Sequence, residues 1–314
     1  MRDSDTGRWT HPATILVATD LSDLDHLMPS ALEQAGETGA RLILLHVLSR
    51  AESFTADASG MPYYDIPGAL EIAEKMMRPW CETAARRGIR CDELVREGRA
   101  TQQIAAAARQ FHVDRVLLGT RSRSKIGKLL IGSVAEQVLR SVYLPVITVG
   151  PEAHLPVSGN AERVVLHATT LRETSRPSAA LACQIAAGQN AKLVLLHVLP
   201  PLPEMQRKGL PTGFDSAAMH EMMMLASATG AGCCSTVEPL VLHGNPSIEI
   251  LATSQERHAS LIVLGASERS TFENLTRDRT VYRVLAHARC PVLTLREPGT
   301  MAEETHAAAA AVHH

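Results

Sequence analysis

Three apolar runs occur twice in this chain, in the same order and about 150 residues apart. Leu42-Ile-Leu-Leu-His46-Val47-Leu48 returns as Leu193-Val-Leu-Leu-His197-Val198-Leu199, and Arg115-Val-Leu-Leu-Gly119 returns as Leu261-Ile-Val-Leu-Gly265. Leu144-Pro-Val-Ile-Thr-Val149 returns as Cys290-Pro-Val-Leu-Thr-Leu295. Matches that keep their order at nearly the same offset are the mark of a tandem duplication. Whatever fold one half adopts, the other must share, and 314 residues is long enough for two cores.

Within the first copy, short β-rich runs alternate with helical patterns. Residues 14–18, 42–48, 93–97, 115–119 and 145–149 read as strands, and 25–38, 69–87, 101–111 and 133–141 read as helices. The strands are continuously apolar rather than alternating, which fits a parallel sheet covered by helices on both faces. Residues 49–67, with Gly60-Met-Pro and Ile66-Pro, read as a long loop suited to a lid or an interface. Pro79 is expected to kink the helix that carries it. The Pro and Gly content of 151–160 marks a linker. The chain thus divides into a first domain at 1–150, a linker at 151–160, a second domain at 161–297 and an Ala-rich tail at 298–314 that is expected to be disordered.

The stretch with most chemical content is Val116-Leu-Leu-Gly119-Thr-Arg-Ser122-Arg-Ser-Lys-Ile-Gly-Lys-Leu-Leu-Ile-Gly132-Ser133-Val134. An apolar run ending in Gly, a basic loop and a Gly-Ser helix start outline a phosphate site, because a helix N-terminus offers free N–H groups and a positive dipole end. Ser133-Val-Ala-Glu136 reads as a capping box with Ser133 as the cap. The spacing of Gly119, Ser122 and Gly132-Ser133 resembles the G-2x-G-9x-G-[S/T] signature of universal stress proteins, with Ser122 in place of the second Gly. The resemblance covers nearly the whole chain.

It implies an α/β fold of two tandem, doubly wound, five-stranded parallel-sheet domains of the adenine nucleotide alpha hydrolase-like type, with strand order 3-2-1-4-5. In such a sheet the ligand lies beyond the carboxyl ends of the strands, where the order reverses. The resemblance places Asp20 and Val47 at the adenine and ribose side, Leu118 and Gly119 beneath the nucleotide, and Ser122, Gly132, Ser133 and Val134 around the phosphates. Arg121, Arg123 and Lys125 would supply counter-charge. A plainer reading makes Asp20 or Ser22 a helix cap and the cations a solvated loop. If position 122 needs a positive φ, Ser strains it by about 1 kcal/mol or more. The second copy departs further: Glu268 and Asp278-Arg279 replace Ser122 and Gly132-Ser133, and Ala168-Thr169-Thr170-Leu171 lacks the first-strand Asp. Carboxylates there repel phosphates, so the second half reads as a degenerate ATP site.

Other functions are narrowed by what the sequence lacks. A net charge of −2 gives no case for nucleic-acid binding, and no apolar run is long enough to span a bilayer. The polar N-terminus has no signal-peptide core, so a soluble cytoplasmic protein is expected. The six cysteines have neither C-x-x-C spacing nor disulfide-scaffold density, and Cys183 and Cys290 read as small core residues. His46 and His197 read as hydrogen-bonded core histidines, and His220-Glu221 lacks the second His of a zinc helix. No metal site and no catalytic residue is indicated. The expected protein is therefore a non-enzymatic, ATP-binding regulatory module of the stress response, with ATP, bound with or without Mg2+, in the first half. Its halves are expected to pair through 146–149 and 292–295, and homodimers are compatible with the same edges. The alternative is a nucleotide-free interaction scaffold, or an apolar-ligand binder using the Met219 to Leu225 segment of the second half. In the plainer form of that segment, Met223 and Met224 face the sheet while Met219 and Met222 fill a domain interface.

Overall fold

The structure is a computed structural model, and it describes residues 3–49, 53–56, 59–120, 131–154, 162–201, 213–230, 236–267 and 279–297. The chain separates into two units, 1–155 and 156–314. The first unit follows the order α1 (Asp3–Thr10), β1 (Thr14–Thr19), α2 (Leu24–Thr38), β2 (Arg41–Leu48), β3 (Phe54–Ala56), β4 (Pro62–Tyr64), α3 (Ile66–Arg86), β5 (Cys91–Glu97), α4 (Ala100–Gln110), β6 (Arg115–Gly119), α5 (Ser133–Ser141) and β7 (Val146–Val149). Its five main strands run parallel in the order β7-β6-β1-β2-β5, which is the 3-2-1-4-5 arrangement that the resemblance implies. Helix α2 touches α3, and α4 touches α5. The strands are apolar throughout because both faces are covered: Ile15, Leu16, Val17 and Leu117 have no exposed surface.

The second unit repeats this with β8 (Val164–Ala168), α6 (Arg176–Gly188), β9 (Lys192–Leu199), α7 (Gly213–Gly230), β10 (Val237–His243), α8 (Pro246–Glu256), β11 (Leu261–Ser267), α9 (Arg279–His287) and β12 (Val292–Glu297). Its order is β10-β9-β8-β11-β12, again parallel. Pro239 sits in the middle of β10, which pairs on one side only within its unit; an outer strand can spare the N–H that proline lacks.

Several local expectations change. The loop at 49–67 contains an antiparallel hairpin, β3 with β4, on which Phe54 and Tyr64 meet edge to face at 5.6 Å. Helix α3 begins at Ile66 and continues through Pro79 to Arg86. Cys81 of α3 and Cys91 of β5 are joined as a disulfide, which spacing alone did not suggest, whereas Cys183 and Cys290 are buried core residues as expected. Helix α1, outside the repeat, is held by Arg8, which pairs with Asp114 at 2.6 Å, and by Trp9, whose carbonyl accepts from the buried Arg115. Met222 is fully buried beside Leu225, while Met223 and Met224 are exposed, so the expected placing of Met223 and Met224 against the sheet is wrong. A helix turns 100° per residue, and once Ala218, Met222 and Leu225 face inward the intervening positions must point out.

Candidate functional site

The sheet order reverses between β1 and β6: from β1 the chain steps to β2 on one side, and from β6 to β7 on the other. Helices diverge from such a point and leave a crevice at the strands' carboxyl ends. A cavity of about 330 Å³ lies there, within the roughly 300–1,000 Å³ of small-molecule sites. Asp20, Val47, Leu118, Gly119, Gly132, Ser133 and Val134 all line it. Ser122, with Arg121, Arg123 and Lys125, lies outside the described residues.

Its floor is set by the turn after β1. The Thr19 hydroxyl accepts the Leu21 N–H at 2.9 Å, and the Thr19 carbonyl meets Nδ1 of His46 at 3.0 Å, so His46 is the bonded core histidine expected from its strand. Leu21 is held at a φ of 71°, a left-handed conformation that costs a side-chain-bearing residue about 1–2 kcal/mol. Asp20 accepts from the Ser22 N–H at 2.9 Å and from the Ser22 hydroxyl at 2.6 Å, an Asx turn rather than a helix cap.

The opposite wall comes from β6 and α5. Thr120 donates its N–H to the Val149 carbonyl, and Gly132 donates its own to the Thr120 carbonyl at 3.1 Å, returning the chain from the basic segment to the end of β6. Here the capping-box expectation fails. Gly132, not Ser133, is the N-cap, no side chain caps the helix, and the Glu136 carboxylate pairs instead with Arg140 at 2.9 Å. Ser133 follows a cap at φ −60° and ψ 145° and is already helical, so its hydroxyl cannot reach back. The uncapped first turn of Ser133, Val134 and Ala135 therefore keeps its amide donors at the cavity wall.

One residue was missed in the sequence. Asp23 is the N-cap of α2, yet its carboxylate makes no cap bond; Oδ1 accepts the Thr19 hydroxyl proton at 2.6 Å and Oδ2 lies against Gly119. A Cβ on residue 119 would collide with that oxygen, so Gly119 serves close approach here. Asp23 is 7% exposed, and burial pushes its pKa up to about 6; the Thr19 bond opposes the rise and the nearby Asp20 charge adds to it. In sequence, Asp20-Leu-Ser-Asp23 looks like an ordinary helix start, and nothing in it reveals this inward turn. Ala100 and Ile104 of α4 complete the wall, and only their helix-face apolarity hinted at it.

The second unit keeps the backbone device and changes the side chains. Thr169 accepts the Leu171 N–H at 3.1 Å, its carbonyl meets Nδ1 of His197 at 2.9 Å, and Leu171 has a φ of 59°. Thr170 stands where Asp20 does and bonds Ser175, while Glu173 turns outward to Arg176 at 2.8 Å. Glu268 and Asp278 lie outside the described residues. A groove of about 160 Å³ borders α7, with Leu171, Met224 and Leu225 among its walls, below the size of ordinary ligand pockets.

The universal stress protein family matches residues 13–150 and 162–296. A universal stress protein of Thermus aquaticus is 33% identical over 140 residues, covering 43% of this chain and 97% of that protein. The Bacillus subtilis universal stress protein YxiE is 27% identical over 143 residues, covering 43% and 97%. Among solved structures, a universal stress protein from Archaeoglobus fulgidus superposes with a TM-score of 0.69 at 18% identity, over 90% of this chain and 98% of that one, which speaks to the fold. With both halves of the sequence matched and the duplicated fold in place, this chain belongs to the universal stress protein family and carries two of its domains in tandem.

Proposed function

We propose that the first unit binds an adenine nucleotide, ATP, and that the protein acts as a non-enzymatic regulatory module in the stress response, the second unit having given up that role. One observation carries the reading: seven residues singled out by spacing and resemblance, spread from Asp20 to Val134, meet around one cavity at the sheet's reversal point. Members of the family bind adenine nucleotides, which supports the choice of ligand. The uncapped start of α5 supplies amides suited to phosphate oxygens, and Asp20 supplies an acceptor suited to ribose or adenine donors. The second unit's Thr170 and outward Glu173 support its loss of the site.

Equilibrium dialysis with labelled ATP on the full chain tests this. One nucleotide should bind per chain, and phosphate release should stay at the rate of free ATP. Gly132→Asp crowds the cavity beside Ser133 and adds a like charge at a few ångströms, worth about 4 kcal/mol at an effective dielectric of 20, so binding should vanish. Retention of the parent affinity would mean that the nucleotide lies elsewhere.

A further inference from the structure

The cavity holds a carboxyl group that a nucleotide site does not obviously want. Asp23 lines the same cavity as Gly119, Gly132 and Ser133. Its side chain forgoes capping α2, although it occupies the N-cap position, and is held by Thr19 in a cavity-lining position against Gly119. Thr19 has one hydroxyl hydrogen, and it goes to Oδ1. With that hydrogen on Oδ1, the carboxyl group's own proton sits on Oδ2, the oxygen beside Gly119.

From this geometry we infer that Asp23 is a binding residue of the nucleotide site that works in its protonated form, donating Oδ2–H toward a phosphate oxygen, so that nucleotide binding takes up a proton from solution. This deepens the reading above and rests on it. Ionised, Asp23 would add a buried negative charge beside the half-buried Asp20 and against the phosphates; neutral, it changes from an acceptor to a donor. Burial and the Asp20 charge favour the neutral state, against the Thr19 bond and the backbone N–H groups of Asp20 and Asp23, which favour the ionised one. Asp20, in the same turn, is the nearest charge; from β2 comes His46, committed through Nδ1 to the Thr19 carbonyl. The end of β6, Leu118-Gly119-Thr120, brings no ionisable side chain. On α2 itself Asp25 and His26 point to solvent, Arg99 at the start of α4 is exposed, and Glu136 of α5 is paired with Arg140. Arg121, Arg123, Lys125 and Lys128, which follow Thr120 in sequence, lie outside the described residues. Burial already raises the Asp23 pKa to about 6 without ligand, and an approaching phosphate pushes it further.

The test is ATP titration of the full chain and of Asp23→Asn between pH 5.5 and 7.5. Affinity for the parent should be roughly twenty-fold tighter at pH 5.5 than at pH 7.5, the ratio of protonated fractions for a group of pKa about 6. Asp23→Asn, whose amide can donate to a phosphate at any pH, should bind with only the weak pH dependence that ATP itself contributes. As a second measurement that needs no variant, calorimetry of the parent at pH 7.5 in two buffers of different ionisation enthalpy should report close to one proton taken up per nucleotide bound beyond ATP's own. ATP binding with no such uptake overturns the inference and leaves the nucleotide reading standing, as does a pH dependence undiminished in Asp23→Asn. No ATP binding at any pH overturns the reading and this inference with it.

Discussion

At the scale of single residues, the two repeats differ most where one buries a polar group that the other lacks. His167 of β8 occupies the position of Val17 in β1 and has no exposed surface. Its Nδ1–H donates to the Val263 carbonyl at 3.0 Å, and Nε2 is buried with no hydrogen-bond partner among the described residues. Protonating that nitrogen would bury an unpaired charge, so desolvation pulls the pKa down to about 4, the Val263 bond opposing it. A depressed folded-state pKa means that stability is whole above the unfolded value of 6.5 and is lost as pH falls toward 4. Near pH 5 the loss should be about 2 kcal/mol, from 1.36 kcal/mol per pH unit. Asp23 has the opposite sign: its raised pKa adds stability below 3.8 that fades as pH rises through about 6. His167→Val, which copies the first repeat, isolates the histidine. Urea unfolding at pH 7 and pH 5 should show a smaller drop in the variant, and an unchanged drop would assign the acid sensitivity elsewhere.

At the scale of elements, helix ends show how far local rules carry. Helices α4, α6 and α8 end with His112, Asn190 and His258 at a φ of 50°, and the next residue in each case donates its N–H back five positions along the chain, as Ala259 does to Ser254 at 2.8 Å. That is a left-handed helix stop, for which glycine is the strain-free residue. His258→Gly should therefore raise the midpoint of thermal unfolding, by about 0.5–1 kcal/mol of stability, and a drop would show that the imidazole makes contacts that matter more. Helix periodicity placed α4 at 101–111, within a residue of its observed bounds. The cap of α5 was misread, because Gly-Ser followed by Glu satisfies the capping-box pattern, while the Gly132 N–H bond to the Thr120 carbonyl fixes the helix one residue earlier than the pattern supposed. Arg115 shows the same limit. It replaces Leu261 of the second repeat at a strand position, and only packing reveals that its guanidinium reaches Gln34 of α2 and the carbonyl of Trp9, fastening α1 to the sheet.

For the whole molecule, the duplication makes a test of where function lies. Each unit has its own five-stranded sheet and core, and the walls of the larger cavity come wholly from the first. The polypeptide 1–155 should bind ATP with the affinity of the full chain, and 156–314 should show no binding under the same conditions. If only the intact chain binds, the second unit contributes to the site.

The sequence by itself determined the duplication and the parallel α/β class, while the seven residues that line the cavity were named by the family resemblance. Those features are written in one dimension, as runs of burial, periods of 3.6 and fixed loop spacings that any chain with this pattern must satisfy. Asp23 against Gly119, the Cys81–Cys91 bond and the seating of α1 on Asp114 and Arg115 were decided by tertiary structure alone. Each joins side chains from different elements, and whether an Asp caps its own helix or turns into a crevice depends on a neighbour far along the chain that leaves room for it, here the glycine at the end of β6.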